Sequence, residues 1–471
     1  MSTNRLSTET QVDLLKLQDS WFNIYRGKPA WLEQWYQGLE GIRKKRTRLK
    51  LNAGKVSSNE LANLLFSEAP QINTDDAVLE ILKNNKFLKN SKNLSEYIAA
   101  LGGGAYKLRS DGEKVIIDYV KAYNIIPISW DNSQVFEADF LSDKVIKGET
   151  YKIVEKHRKV YKNLPLMDDE GKMILNKGLP VLGDETLFTG YSIKTEMYKN
   201  EQKVPLPFDM IELQEINVFR PLFSYIKTSL ANNFNPDSPI GISYFANATD
   251  TIKALDMAFD CLYGEMELGQ KRIIVPAEAI RYTIDTTTNK RVRYFDPSDR
   301  VFLALKTGDD KLDITDNSVE LRTEEIKTAI QVLLDIYCMQ VGFSAGHLAF
   351  DSGGMKTATE VISNNSKTFK TKTAFENEMA EGMVDIMDAI RVLITLNGVS
   401  VSGDEYSVTF DDSVIEDRNS KKDYWADMVA SGFVTKKMAI MKLWNIDEIA
   451  AQKMLDEIEK EQPEPIKNFG F

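Results

Sequence analysis

Apolar residues at Phe245, Ala248, Ile252, Leu255, Phe259, Leu262 and Met266 recur at alternating steps of three and four. Such a 3.5-residue stripe predicts a long amphipathic helix over 247–269, built to share a seam with another helix. Asp250, Lys253, Asp256, Asp260, Glu265 and Glu267 fall on its other faces, and Gly269 stands where a helix end favours glycine. At ~1.5 Å per residue this helix is roughly 35 Å long. A second stripe, Ile326, Ile330, Leu333, Tyr337 and Val341, predicts a returning helix over 323–341. Thr323 can cap it, Glu324 and Glu325 suit its first turn, and Gly342 ends it. Between the two, β-branched and aromatic residues predict short strands over 272–275, 280–284, 291–295 and 301–305, with a turn at 286–289. The pattern is that of a helical stalk carrying a strand-rich head at one end.

A glycine-bearing loop over 343–356 follows, and Thr357 with Glu360 forms a capping box that opens a third long helix reaching about 397. Its first half is polar, with Lys367, Lys370 and Lys372. Its second half is apolar on one side through Met379, Met383, Ile386, Ile390 and Leu393. Toward the N-terminus, 1–72 reads as helical, with Trp21, Trp31, Trp35 and Tyr36 crowded near the start. A basic run over 43–48 precedes a helix ending near 68–70. Short helices are expected over 74–84 and 94–101. Strands are expected over 105–109, 114–120, 125–130, 135–141, 149–160 and 187–198. The glycine triplet Gly102-Gly103-Gly104 lacks the Lys-Ser/Thr of a phosphate-binding loop and reads as a flexible helix-to-strand turn. A strand pair, 398–402 with 406–410, and helices over 419–462 complete the chain, with Pro463 and Pro465 stopping the last helix.

At 471 residues the chain exceeds what one core usually organises, so two to four subdomains are expected. Its 43% hydrophobic and 27% charged content is that of a folded chain. No stretch approaches the run of about 18 apolar residues that a membrane helix needs. The start lacks the apolar core of a secretory signal, so a soluble protein made in a cytoplasm is expected. Cys261 and Cys338 both lie in apolar helical patterns and read as small core hydrophobes. With only two histidines, His157 and His347, a His/Cys metal site or a Ser-His-Asp arrangement has few candidates. A net charge of −11 opposes tight non-specific DNA binding but not DNA passing nearby. The basic run over 43–48 reads as a solvated face, with nucleic-acid contact as its alternative. Asp309-Asp310 and Asp411-Asp412 read as solvated turns. The insertion is charge-segregated, with eight basic against four acidic residues over 271–306 and seven acidic against two basic over 309–325. No catalytic motif stands out. Carboxylates are abundant enough that a two-acid hydrolase or nuclease in 105–220 is the competing class, and another ring-forming virion component is a third.

Several segments resemble the portal proteins of tailed bacteriophages, in the branch that infects Gram-positive bacteria. These are 49–54 through 60–68, Gly104-Ala105-Tyr106-Lys107-Leu108 and Pro127-Ile128-Ser129-Trp130-Asp131-Asn132. They continue with Ser238-Pro239-Ile240-Gly241-Ile242-Ser243 running through Lys253-Ala254-Leu255-Asp256 to Arg272-Ile273-Ile274-Val275-Pro276, and with Lys356-Thr357-Ala358-Thr359-Glu360-Val361. Their order over about 20 to 460 carries the resemblance.

The resemblance implies an α+β, multi-part fold with long stem and wing helices, an N-terminal α/β wing, a small strand-rich clip and a helical crown. The parts would be wing at 1–244, stem at 245–270 and 323–342, clip at 271–322, tunnel loop at 343–356, wing again at 357–418, and crown and tail at 419–471. It implies a non-enzymatic ring of about twelve or thirteen copies at one capsid vertex of a virion, made in a bacterial host's cytoplasm and needing no cofactor. Double-stranded DNA would pass through the ring without sequence specificity, inward during packaging and outward during ejection. Partners would be the terminase packaging motor, a head-completion or adaptor protein, and capsid and scaffold proteins, with no membrane. The channel loop would offer Phe343, Ser344, Gly346, His347, Phe350, Asp351, Ser352, Gly353, Gly354, Met355 and Lys356. Clip docking would use Arg281, Lys290, Arg291, Arg293 and Arg300. Ile252, Leu255, Phe259, Leu262, Ile330, Leu333 and Tyr337 would pack the stem.

Overall fold

The computed structural model describes residues 8–37, 43–110, 114–132, 134–165, 175–176, 179–180, 182–207, 210–269, 272–276, 282–284, 291–293, 303–305, 315–317, 320–349, 358–396, 398–399, 401, 405–410, 418–444 and 448–461. Helix α1 (Thr8–Tyr25) leads to a hairpin of strands β1 (Glu33–Gln37) and β2 (Arg43–Thr47). The basic run is therefore a strand and not a helix lead-in. It pairs antiparallel with Trp35 opposite Lys45 and Tyr36 opposite Lys44. Aromatic-on-cation contacts favour the ribbon: the Arg43 guanidinium lies 4.8 Å from the Trp35 ring centre, and Lys45 bonds Glu33 at 2.6 Å.

Helix α2 (Ala53–Leu65) follows, then β3 (Gln71–Asn73), α3 (Asp76–Asn84) and α4 (Phe87–Leu101). The buried side of α4, Phe87, Ser91, Leu94, Ser95 and Ile98, recurs at three- and four-residue steps and faces a sheet. That sheet has the order β14-β4-β5, from β4 (Gly103–Ser110), β5 (Val115–Lys121) and a strand returning later. The glycine triplet at its corner is not a flexible turn. Gly102 ends α4 at φ +89°, and a Cβ on it would stand 2.3 Å from the Gly241 carbonyl oxygen, so only glycine lets the two backbones meet.

The strand-rich region runs through β6 (Ile125–Asp131), β7 (Gln134–Ile146), β8 (Glu149–Pro165), the short β9 (Leu175–Asn176) and β10 (Leu179–Pro180), β11 (Leu182–Lys199), β12 (Gln202–Val204) and β13 (Leu213–Ile216), all paired antiparallel. Sheet order is β12-β11-β8-β7-β6, with β13 also on β11, while β9 and β10 form a separate pair among the described residues. Strand β14 (Phe223–Lys227) completes the neighbouring sheet, and a small core of Ala105, Ile125, Trp130, Val135, Ala138, Phe140 and Phe223 lies between the two. Four ionisable side chains meet beside that region. The Lys107 ammonium is 2.5 Å from the Glu155 carboxylate and 3.4 Å from Asp118, and His157 lies 4.0 Å from Glu155. Burial pushes the Glu155 carboxyl up, but His157 and Lys107 outweigh it and hold it at about 2.

Helix α5 (Thr249–Leu268) opens the long-helix region. Within the insertion, β15 (Arg272–Pro276), β16 (Tyr282–Ile284), β17 (Arg291–Arg293) and β18 (Leu303–Leu305) stand where strands were expected. An unexpected fifth, β19 (Thr315–Asn317), lies in the acidic stretch and pairs with β15, which also pairs in parallel with β18. Helix α6 (Thr323–Val341) returns and helix α7 (Ala358–Leu396) follows. Phe375, Met379, Met383, Ile386 and Ile390 of α7 are fully buried in the main core with residues of α2, α4, α5 and α6. Strand β20 (Ser407–Thr409) pairs with β3, where Val408 sets opposite Ile72 and closes the core under α7; of its expected partner 398–402, only 398, 399 and 401 are among the described residues, and none of these is in a strand. Helices α8 (Arg418–Ala430), α9 (Lys436–Trp444) and α10 (Glu448–Glu461) form the C-terminal part.

Candidate functional site

The candidate site is the α5–α6 pair with the segments leaning on it. An Arg322 fork onto Glu265, at 3.1 and 2.9 Å, joins the C-terminal end of α5 to the start of α6. Ile252, Leu255, Ile330 and Tyr337 are buried, and Phe259, Leu262 and Leu333 are half-buried. The stripe stops short of Met266, which is exposed. Tyr337 does more than pack: its hydroxyl donates to the Ala53 carbonyl at 3.1 Å and lies 2.6 Å from Ser57 Oγ, pinning α6 to α2.

Two acids assigned to the outer faces of α5 are in fact buried. Asp256 accepts from Trp31 Nε1 at 3.0 Å and from the Leu51 amide at 2.9 Å. One turn on, Asp260 accepts from the Leu49 amide at 3.1 Å and from Arg46 at 3.0 Å. Together they clasp the base of the β1–β2 hairpin onto α5. Burial raises the Asp256 carboxyl, and the donors aimed at it oppose that rise. Acids spaced four apart beside an apolar stripe are the only sequence signal for this clasp, and a solvated face gives the same signal. Cys261, expected in the core, is exposed because it lies one residue beyond Asp260, on the side of α5 turned from the core; Cys338 is buried.

The loop after α6 begins as an anchored segment. Gly342 adopts φ +86°, and its carbonyl accepts from Thr371 at 2.7 Å. Phe343 and Ser344 are buried, with the Ser344 amide donating to Thr368 Oγ1 at 2.8 Å. The Gly346 amide donates to Asp335 at 3.1 Å, and His347 Nε2 lies 3.2 Å from Glu60 of α2. Phe350, Asp351, Ser352, Gly353, Gly354, Met355 and Lys356 lie outside the described residues. Of the lysines that follow, Lys372 is buried 2.6 Å from Glu376, Lys367 donates to the Met339 carbonyl at 2.7 Å, and Lys370 is exposed.

The hydrogen bond from His347 holds the Glu60 carboxyl below the usual carboxylate range. A depressed carboxylate stabilises the fold above its ordinary pKa of about 4.3, and that contribution is lost as pH falls through the depressed value. Acid titration of hydrogen exchange at 343–349 should therefore show protection falling below about pH 4 in the parent chain. In Glu60→Ala, which removes the acceptor, it should already be low at neutral pH.

Of the proposed docking arginines, Arg291 and Arg293 bound β17, opposite Ile284 and Tyr282 of β16. Arg281, Lys290 and Arg300 lie outside the described residues. Among the described residues no three His, Cys, Asp or Glu side chains are grouped to hold a metal ion, and no helix is long and apolar enough to cross a membrane.

Residues 19–464 match the family profile described as phage portal protein, SPP1 Gp6-like. Among solved structures, the chain is similar to one from the virion of a native gene transfer agent particle, at 10% identity and TM-score 0.40 over 83% of this chain and 89% of that one. It is likewise similar to a chain from the neck of that native particle computed with C12 symmetry, at 11% identity and TM-score 0.40 over the same shares. No curated protein matches.

Proposed function

The chain belongs to the SPP1 Gp6-like family of phage portal proteins, and from that premise we propose that it forms the ring through which double-stranded DNA enters and leaves a capsid. Portal proteins are structural components of the virion, not enzymes. The observation that carries the reading is the family match over 19–464, which spans both long helices and the strands between them. About twelve or thirteen copies would stand around the axis at one vertex. The α5–α6 pair is the stem, 271–322 the clip, 343–356 the tunnel loop and 419–471 the crown and tail. The rest, 1–244 and 357–418, is the wing.

A chain carrying −11 would line the channel with like charge, repelling phosphates and keeping friction low. Phosphate contacts would then be few and exchangeable, with Lys370 available for them while Lys372 and Lys367 are engaged within the chain. His347, held at Glu60, would fix the root from which the loop reaches the DNA. The clip would receive the terminase motor and later the head-completion or adaptor protein through Arg281, Lys290, Arg291, Arg293 and Arg300, and the wing would meet capsid and scaffold proteins.

Electron microscopy of the purified chain should show rings with a central opening, and only monomers under all conditions would refute the reading. Deleting 346–354 should leave rings intact while reducing packaging and retention of DNA. Unchanged packaging would remove the loop's role without touching the ring.

A further inference from the structure

The β14-β4-β5 sheet ends at β14. Leu108 donates to the Leu222 carbonyl at 2.8 Å, and Thr228 to the Gly102 carbonyl at 3.2 Å. Bonded positions alternate along an antiparallel pair, so Leu222, Ser224, Ile226 and Thr228 are the residues that bond to β4. The amides and carbonyls of Phe223, Tyr225 and Lys227 point the other way, and no strand among the described residues pairs with them. They open into a cleft of about 510 Å³, bounded by α7 on one side and by β7, β8 and β11 on the other. Folded proteins keep such edges short, charged or covered, whereas this one forms the floor of a cleft.

The two walls of the cleft differ. Side chains alternate across β14, so Ser224 and Ile226 face α7 while Phe223 and Tyr225 face the strand-rich region. Ile226 packs so closely that a Cβ on Gly382 of α7 would stand 2.3 Å from it, and Phe223 lies 5.1 Å from the Phe140 ring. The α7 wall carries Glu378, Glu381 and Asp385, three and four residues apart on one helix face. Arg220 pairs with Asp385 at 3.6 Å and with Asp388 at 2.7 Å. Burial pushes the Glu378 and Asp385 carboxyls up, with Lys227 and Arg220 pulling the other way, and a further cation would ease that burial. The Ser224 hydroxyl, 4% exposed, has no partner among the described residues. Opposite stands an aromatic wall of Phe136, Tyr161, Phe188 and Phe219, with Tyr161 52% and Phe219 75% exposed. Lys159 already lies 3.8 Å from the Phe136 ring centre, so a second cation on this side would meet like charge.

We propose that this cleft receives an extended segment of a partner protein, alternating basic and apolar side chains, as a further strand on β14. Strand addition draws affinity from main-chain hydrogen bonds and specificity from alternate side chains. Every second side chain of the added strand faces the α7 carboxylates and the Ser224 hydroxyl, and those between face the aromatic wall. Basic residues belong on the first side and apolar residues on the second.

At about 3.3 Å per residue the five residues of β14 span about 17 Å, which a hexapeptide covers. The test adds a fluorescein-labelled hexapeptide alternating lysine and valine to the full chain and follows anisotropy. It should bind at least about tenfold more tightly than the same peptide with glutamate for lysine. Glu378→Gln combined with Glu381→Gln should remove that preference. Alternate amides of a strand face opposite edges, so N-methylation tests the backbone without altering charge. Methylating either the lysines or the valines should lose at least about tenfold, and methylating the other set should leave binding intact. Hydrogen exchange at Phe223, Tyr225 and Lys227 should slow when the parent peptide binds. No preference for lysine, equal effects of the two methylations, or unchanged exchange at these amides would overturn the proposal and leave the ring reading standing. Amides protected in peptide-free rings but not in monomers would assign the edge to a neighbouring copy, and would likewise overturn it.

Discussion

Lys107→Met is expected to cost about 3–5 kcal/mol of folding stability, among the largest effects of any single substitution in this chain. Lys107 is 6% exposed, and its ammonium neutralises Glu155 at 2.5 Å and Asp118 at 3.4 Å. Removing it leaves the Glu155 carboxylate beside His157, whose ring packs on Phe140 and Phe223, with burial offset by His157 but no longer by Lys107, while Asp118 keeps Arg109 at 3.0 Å. Chemical denaturation at neutral pH would show the loss as a lowered midpoint. The pH dependence gives a second reading. In the parent chain Glu155 titrates at about 2, below its unfolded value, so its contribution is full above about pH 4.3 and disappears only as pH falls toward 2. Without Lys107 the carboxyl should rise, moving the acid limb of stability to higher pH. Glu155→Met combined with Lys107→Met should recover much of the loss, since an apolar pair avoids the stranded charge. A double variant no better than the single one would show that the lysine stem, and not its charge, holds the two sheets together.

Asp256→Ala is expected to cost about 2–5 kcal/mol and to free the segment from Trp31 to Leu51, since each buried donor left without a partner costs about 1–3 kcal/mol. The Asp256 carboxylate serves the Trp31 indole and the Leu51 amide from a position only 2% exposed. Its loss leaves Asp260 alone to hold Leu49 and Arg46. Limited trypsin digestion reads this directly, because the released segment carries the basic run 43–48. Cleavage there should accelerate well before the body of the chain is cut. Asp256→Asn keeps one acceptor oxygen and should fall between parent and alanine. Cleavage unchanged in the alanine variant would mean that the hairpin is held by its own pairing and not by the clasp.

Both residues illustrate what local pattern can and cannot carry. The three long helices were legible because each repeats an apolar position over many turns, so the core-facing side is overdetermined; α5, α6 and α7 lie within a few residues of the expected bounds. The six strands of the 105–198 region were legible for the same reason at period two, and differ mainly in reaching further at their ends. The glycine triplet was visible as a breaker, but a breaker and a tight crossing look alike until the Gly241 carbonyl is seen against Gly102. The basic hairpin was misread as helical because lysine and arginine suit a helix as well as a strand. What decided it was pairing across a turn, Trp35 with Lys45.

By itself, then, the chain's pattern determined the two helices of the stalk, the strands between them, the long helix beyond and the family to which they belong. Periodicity and motif order are properties of near neighbours along the chain. Only the tertiary structure decided that Asp256 faces Trp31 across 225 residues, that His347 meets Glu60 across 287, that β20 closes on β3, and that Cys261 is left outside. A carboxylate four residues from another beside an apolar stripe is equally at home in water or under a hairpin. The choice depends on which distant donors the fold brings to it, and no local spacing encodes that.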